Sequence, residues 1–266
     1  MKLFFIGVGI ACSWSVASIA CELGPRETGY VAAAVDTVSY ELADGRELRL
    51  EGLGSPRAPA HRDGPWPILE EATDDARDLI GTGAISFAPT EEPDRYGRVI
   101  AQVWLEDGTW LNGALVERGL ARAETTVDQR RCAIEVLALE ATARADRRGM
   151  WRLSVYDVRE GLETSAYTND FQIVRGRIVE AAEVRGRIYL NFGTDWRTDF
   201  TVTIAPRDVA MFAEAGLDPL SWGGRAIRVR GWLEWYNGPM IEASHPEQIE
   251  LLDAGAAAEA EGEPVQ

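Results

Sequence analysis

Lysine is almost absent from this chain. Its single copy is Lys2, and every other basic residue is arginine. Histidine is nearly as scarce, with only His61 and His245, which fall in different halves and cannot build a metal cluster by themselves. Each reads as a surface or turn residue. No Cys-x-x-Cys pair, Walker loop or serine-nucleophile elbow occurs, so those chemistries have no support. Long apolar runs are missing too: Leu3–Ala11 is soon broken by Ser13 and Ser15, too short for a secure membrane span. Positive charge is the minority sign. With 43 Asp and Glu against 27 Lys and Arg, the formal charge is −16, and the whole molecule repels nucleic acid and anionic membranes at long range. An arginine-only inventory suits bidentate contacts with carboxylate or phosphate, and codon bias would produce it equally well.

What is present is ordinary globular material. The 266 residues allow one large or two small domains, and 46% hydrophobic with 26% charged residues excludes a mainly disordered, collagen-like or coiled-coil chain. Residues 1–20 have a charged start, a short apolar core and small residues before Cys21, the pattern of a signal peptide. The protein is therefore expected to be exported: periplasmic, secreted or lipid-anchored to the envelope. Ser18-Ile19-Ala20-Cys21 also fits a relaxed lipobox, which would attach Cys21 to a membrane. Of the three cysteines, Cys12 leaves with the signal, and Cys21 and Cys132 remain in an oxidising compartment, where a pair tends to become a disulfide. Lipidation and the disulfide exclude each other, because both consume the Cys21 sulfur. The disulfide is preferred, since it accounts for Cys132 as well.

Four segments are expected after the signal. Residues 28–152 read as strands, a helix, strands and two helices; 153–170 as a linker; 171–252 as a strand-rich domain; and 253–266, with four acids and no base, as a disordered tail. In the first domain Asp44-Gly45 turns a hairpin between Tyr30–Tyr40 and Arg46–Leu53. Trp66–Ile80 has an apolar stripe (Ile68, Ala72, Ala76, Leu79) over an acidic face, Asp107-Gly108 turns a second hairpin, and Arg131–Arg147 is a helix stopped by Gly149.

That order resembles the staphylococcal-nuclease-like (thermonuclease) family. The residues that carry it are Val35-Asp36-Thr37-Val38, Arg49-Leu50-Glu51-Gly52-Leu53, Ser55-Pro56, Asp94-Arg95-Tyr96-Gly97-Arg98, Arg118-Gly119-Leu120-Ala121 and Arg147-Arg148-Gly149-Met150-Trp151. The resemblance implies a mainly β fold with helices, a five-stranded oligonucleotide-binding-type barrel. It also implies phosphodiester hydrolysis: carboxylates hold calcium, a glutamate works with the attacking water, and two arginines stabilise the developing charge. Arg49 and Arg98 stand at the two arginine positions, as catalytic candidates. The carboxylates are mostly gone. Ala34 and Gly54 replace metal-side aspartates, Arg57 replaces the glutamate, and only Asp36 remains as a weak metal ligand. No cofactor is expected, and calcium only if acids such as Glu51 or Asp63 rescue the site. What is left is an Arg49–Arg57–Arg98 cluster beside Asp36. It is either an anion pocket or an internal ion network.

The second domain reads as five strands with a helix between the third and fourth, similar to another small oligonucleotide-binding-type barrel. Its aromatics interleave with Arg185, Arg187, Arg197, Arg228 and Arg230, an arrangement that can stack single-stranded bases, with Trp196 and Trp235 as stacking candidates. The bland alternative is that its arginines pair with its own acids. The leading expectation is an exported, non-catalytic protein that binds nucleic acid, another anionic ligand or an envelope partner. A divergent phosphodiesterase using Arg49 and Arg98, or a lipid-held structural protein, are the alternatives. The protein partner is unknown from sequence.

Overall fold

The structure is a computed structural model in which residues 21, 23–58, 64–81, 83–161, 164, 169–195 and 197–252 are described. The expected signal peptide, the acidic tail, His61, Asp63 and Trp196 lie outside them.

The first domain is a closed barrel of five strands in the order β1-β2-β3-β6-β5. These are β1 (Glu27–Ala34), β2 (Ser39–Leu42), β3 (Glu47–Leu50), β5 (Ala84–Pro89) and β6 (Val99–Leu105). Closure rests on the parallel β3–β6 pair, Arg49 facing Ile100, and the antiparallel β1–β5 pair. Full closure removes the exposed edges that an open sheet would leave. Tyr30–Tyr40, expected as one strand, is in fact interrupted. The backbone N–H groups of Val35 and Asp36 both donate to Ser39 O, and Val38 N donates to Asp36 Oδ1 at 2.7 Å. An aspartate that captures a backbone N–H two residues on favours such a turn.

Helix α1 (Pro67–Ile80) covers the barrel with Ala72 and Ala76, whose small side chains are fully buried, while Glu70 and Arg77 stand at the ends that suit the helix dipole. Two further helices, α2 (Leu111–Glu117) and α3 (Ala133–Ala145), pack on each other and on the barrel. Buried Asn112 ties α2 to the sheet by accepting from Val103 N. Behind α3 the chain turns back on Gly119. Met150 N donates to Gly119 O, and a Cβ at Gly119 would lie 2.2 Å from Arg148 O. Only glycine lets these two backbones touch.

A short ribbon, β4 (Leu53–Gly54) with β7 (Arg122–Ala123), closes one end of the first domain. Residues 153–170, expected as a linker, include β8 (Arg159–Glu160), paired in parallel with β9 (Phe171–Arg177). Val155 and Tyr156 from this stretch pack with Ile68, Met150, Trp151 and Ile173 in a small core shared by both domains.

The second domain has two sheets, and their strand pairing by itself does not establish the expected second barrel among the described residues. One sheet runs β10 (Glu180–Val184), β11 (Arg187–Asn191), β12 (Thr201–Ile204), β15 (Pro239–Glu242), β14 (Glu234–Trp235). The other runs β16 (Ile249–Leu251), β13 (Ala226–Trp232), β9, β8. The chain runs directly from one sheet into the other at two corners: between β9 and β10, where Ile178 N donates to Arg225 O and the next N–H, of Val179, donates to Asn191 O, and between β13 and β14, which Leu233 alone separates. Strands that switch sheets through such bends make the corners of a barrel-like sandwich. The space between is filled by Phe192, Phe200, Phe212, Trp222 and aliphatic neighbours, with α4 (Val209–Glu214) on one side.

Buried polar contacts hold the domains together. Arg230 on β13 is 1% exposed and donates to both oxygens of Glu140 on α3, at 2.9 and 3.0 Å, and to Glu250 Oε1 at 2.6 Å. His245 is fully buried rather than at the surface. Its Nε2 lies 2.8 Å from Thr125 Oγ1 of the first domain and its Nδ1 lies 3.1 Å from Ser244 Oγ. Among the described residues no helix is long and apolar enough to cross a membrane.

Candidate functional site

Each residue of the proposed site reaches it through a local feature of the chain. Asp36 sits in the turn between β1 and β2. Arg49 lies on β3, with Leu48 and Leu50 on either side turned into the core. Arg57 follows β4. Arg98 closes the Asp94–Arg98 turn, where Asp94 Oδ1 accepts the N–H groups of Tyr96 and Arg98 and leaves Oδ2 for the Arg98 side chain.

The charges of Asp36, Arg98, Glu124 and Arg57 all act on Arg49. Arg49 is the centre. Its Nη1 donates to Ser39 Oγ and its Nη2 to Leu53 O, both at 3.2 Å, and it has no ion pair among the described residues. Burial holds its pKa below the ordinary value, and the Arg98 and Arg57 charges add to that against Asp36 and Glu124. Arg98 is compensated: Asp94 Oδ2 lies 2.6 Å from Nη2, and Glu47 3.7 Å from Nη1. Partial burial raises the Asp94 pKa, but hydrogen bonds from the Arg98 side chain and from the Arg98 and Tyr96 backbone outweigh it and hold the carboxyl below its usual range. Arg57 pairs with Glu124 at 3.2 Å.

Glu124 and Arg122 are the members that reading the sequence missed. Their ion pair, at 3.0 Å, is carried by the strand that pairs with Gly54. A Cβ built on Gly54 would lie 2.0 Å from Glu124 Oε2. The Glu124 carboxylate thus occupies the space in which a side chain at position 54 would begin. No local signal pointed to Glu124, because it meets Gly54 only through the pairing of β4 with β7, far apart in the chain.

Among the described residues the donor set does not fit a calcium ion. Hard divalent cations take several oxygen ligands, and no group of three or more metal-ligating side chains occurs among the described residues. Asp36 Oδ1 already accepts from Val38 N, and Glu124 is held between two guanidinium groups. Glu51, considered as a replacement ligand, is fully buried and bound by Arg131 through Nε at 2.8 Å and through its backbone N–H.

The family model described as Staphylococcal nuclease homologue matches residues 47–153. The first domain is staphylococcal-nuclease-like. Among curated proteins none matches the chain. The match begins at the first residue of β3, so the staphylococcal-nuclease-like barrel takes its first two strands, and Asp36, from the segment just before it.

The remaining candidates lie apart. Cys21 and Cys132 are joined in a disulfide with Cα atoms 5.1 Å apart, at a sequence separation of 111. Trp235 is 58% exposed on the edge strand β14. The arginines offered as a basic groove are largely spent: Arg187 pairs with Glu242, Arg228 with Glu250, and Arg230 with Glu140 and Glu250.

Proposed function

We propose that the protein is an exported ligand-binding protein whose nuclease-like domain holds a phosphate or nucleic-acid-like anion without efficient hydrolysis. The single observation that carries this reading is Arg49, a half-buried guanidinium with only neutral hydrogen-bond partners, flanked by Arg57 and Arg98. A desolvated cation gains from an anion that can accept two parallel N–H bonds. Gly54 and Arg57, standing where the family has carboxylates, support loss of the metal-dependent step. Export is supported by the signal-like residues 1–20 and by the Cys21–Cys132 pairing, which also leaves no thiol on Cys21 for a lipid.

The test is a paired measurement. Phosphate and a short oligonucleotide are titrated calorimetrically at low salt, and hydrolysis is assayed with and without calcium, on the native protein and on Arg49→Ala. Binding that is lost in the variant, with no turnover in either, is the expected result. Calcium-dependent hydrolysis abolished by Arg49→Ala would instead establish a divergent phosphodiesterase.

A further inference from the structure

Beside Arg57 the two domains form a cleft of about 220 Å³. Arg57, Arg122 and Trp151 form its wall from the first domain, Tyr156 from the connecting stretch, and Phe171 and Trp232 from the second. Neither domain makes this cleft alone.

Guanidinium groups flank a pair of rings here. The Arg122 guanidinium carbon lies 4.2 Å from the Phe171 ring centroid, Phe171 and Trp232 meet edge to face at 6.5 Å, and Arg57 lies 5.6 Å from the Trp232 ring. Aromatic faces and guanidinium planes are the surfaces on which unpaired nucleobases stack. The volume is below the roughly 300–1,000 Å³ of sites that take drug-sized molecules, so it suits one ring system. Arg57 belongs to both places: it lines the cleft and it is one of the charges felt by Arg49.

We infer that this cleft is a base subsite, taking the ring of a nucleotide whose phosphate lies against Arg57 and Arg49. The inference rests on the anion-binding reading above and narrows its ligand to a nucleotide unit at a chain end or in a single strand. A base stacked within a duplex has both faces covered and cannot stack on these rings without leaving the stack.

Calorimetry of the full chain at low salt separates the two ideas, with adenosine monophosphate and inorganic phosphate as probes. Trp232 is 48% exposed, so its truncation leaves the core intact, and equal melting temperatures verify this. Native protein is expected to bind adenosine monophosphate at least about tenfold more tightly than phosphate. Trp232→Ala should erase that excess while phosphate affinity stays unchanged, Trp232→Phe should keep most of it, and Arg49→Ala should weaken both probes. Equal affinities on native protein, with both weakened by Arg49→Ala, would overturn the base subsite and leave the anion site standing. So would an excess that survives Trp232→Ala. Absence of binding by either probe would overturn both.

Discussion

Arg230 and Arg49 are both withdrawn from water, yet their surroundings are opposite. Arg230 has two carboxylates within 3.0 Å, and these outweigh burial and raise its pKa. Arg49 has a hydroxyl and a carbonyl, and burial lowers its pKa. An arginine whose charge is matched inside the protein serves architecture. One with only neutral hydrogen-bond partners, beside the charges of Arg57 and Arg98, is available to something from outside. An almost lysine-free chain with a charge of −16 can therefore be acidic overall and still keep a local cationic site.

The strongest way to break the comparison is to unmatch Arg230. Removing one partner of a buried ion pair leaves an uncompensated charge and costs about 3–5 kcal/mol. Glu140→Gln should show a loss of that size in urea unfolding, with oligonucleotide affinity retained once the protein is folded. A loss below about 1 kcal/mol would mean that Glu140 is not what holds Arg230.

The interface can also be loosened by pH. Burial, with help from the Arg130 charge, lowers the His245 pKa from 6.5 to about 4. The folded state therefore keeps this imidazole neutral while the unfolded chain protonates near pH 6.5. Its contribution is complete above pH 6.5 and is lost as pH falls toward about 4. Between pH 7 and pH 5 the expected loss is about 2 kcal/mol, and His245→Gln should flatten that slope. An unchanged slope would assign the pH dependence to other groups.

How much of this was legible beforehand follows the range of the interactions. The Asp94–Arg98 turn is local, its carboxylate capturing two N–H groups within four residues, and it could be read directly. The barrel was legible because apolar alternation and the Asp44-Gly45 turn between β2 and β3 agree with its strand order. Glu124 was not, because it faces Gly54 only through the register of two strands far apart in sequence. His245 looked like a surface residue because its hydroxyl partner, Thr125, lies 120 residues away in the other domain. The second domain's strands were located but not the bends at Ile178-Val179 and Leu233 that carry β9 into β10 and β13 into β14, because a corner between sheets leaves no local sequence signal.

The smallest effect tests the site itself. In the native protein Gly54 has no Cβ, and Glu124 fills the space in front of it. Gly54→Ala must push that carboxylate aside and strain its pairs with Arg57 and Arg122, and the neighbour that gives way is the far end of a flexible side chain. The stability loss should therefore be modest, about 1 kcal/mol, and should disappear in a Glu124→Ala background, giving a coupling energy of similar size in a double-mutant cycle. The same displacement frees Arg57 from Glu124, so phosphate affinity in Gly54→Ala should rise, by roughly the few-fold that one exposed ion pair is worth. Additive stability losses would mean that the two side chains do not share the space. Unchanged phosphate affinity would mean that Glu124 does not compete with the ligand for Arg57.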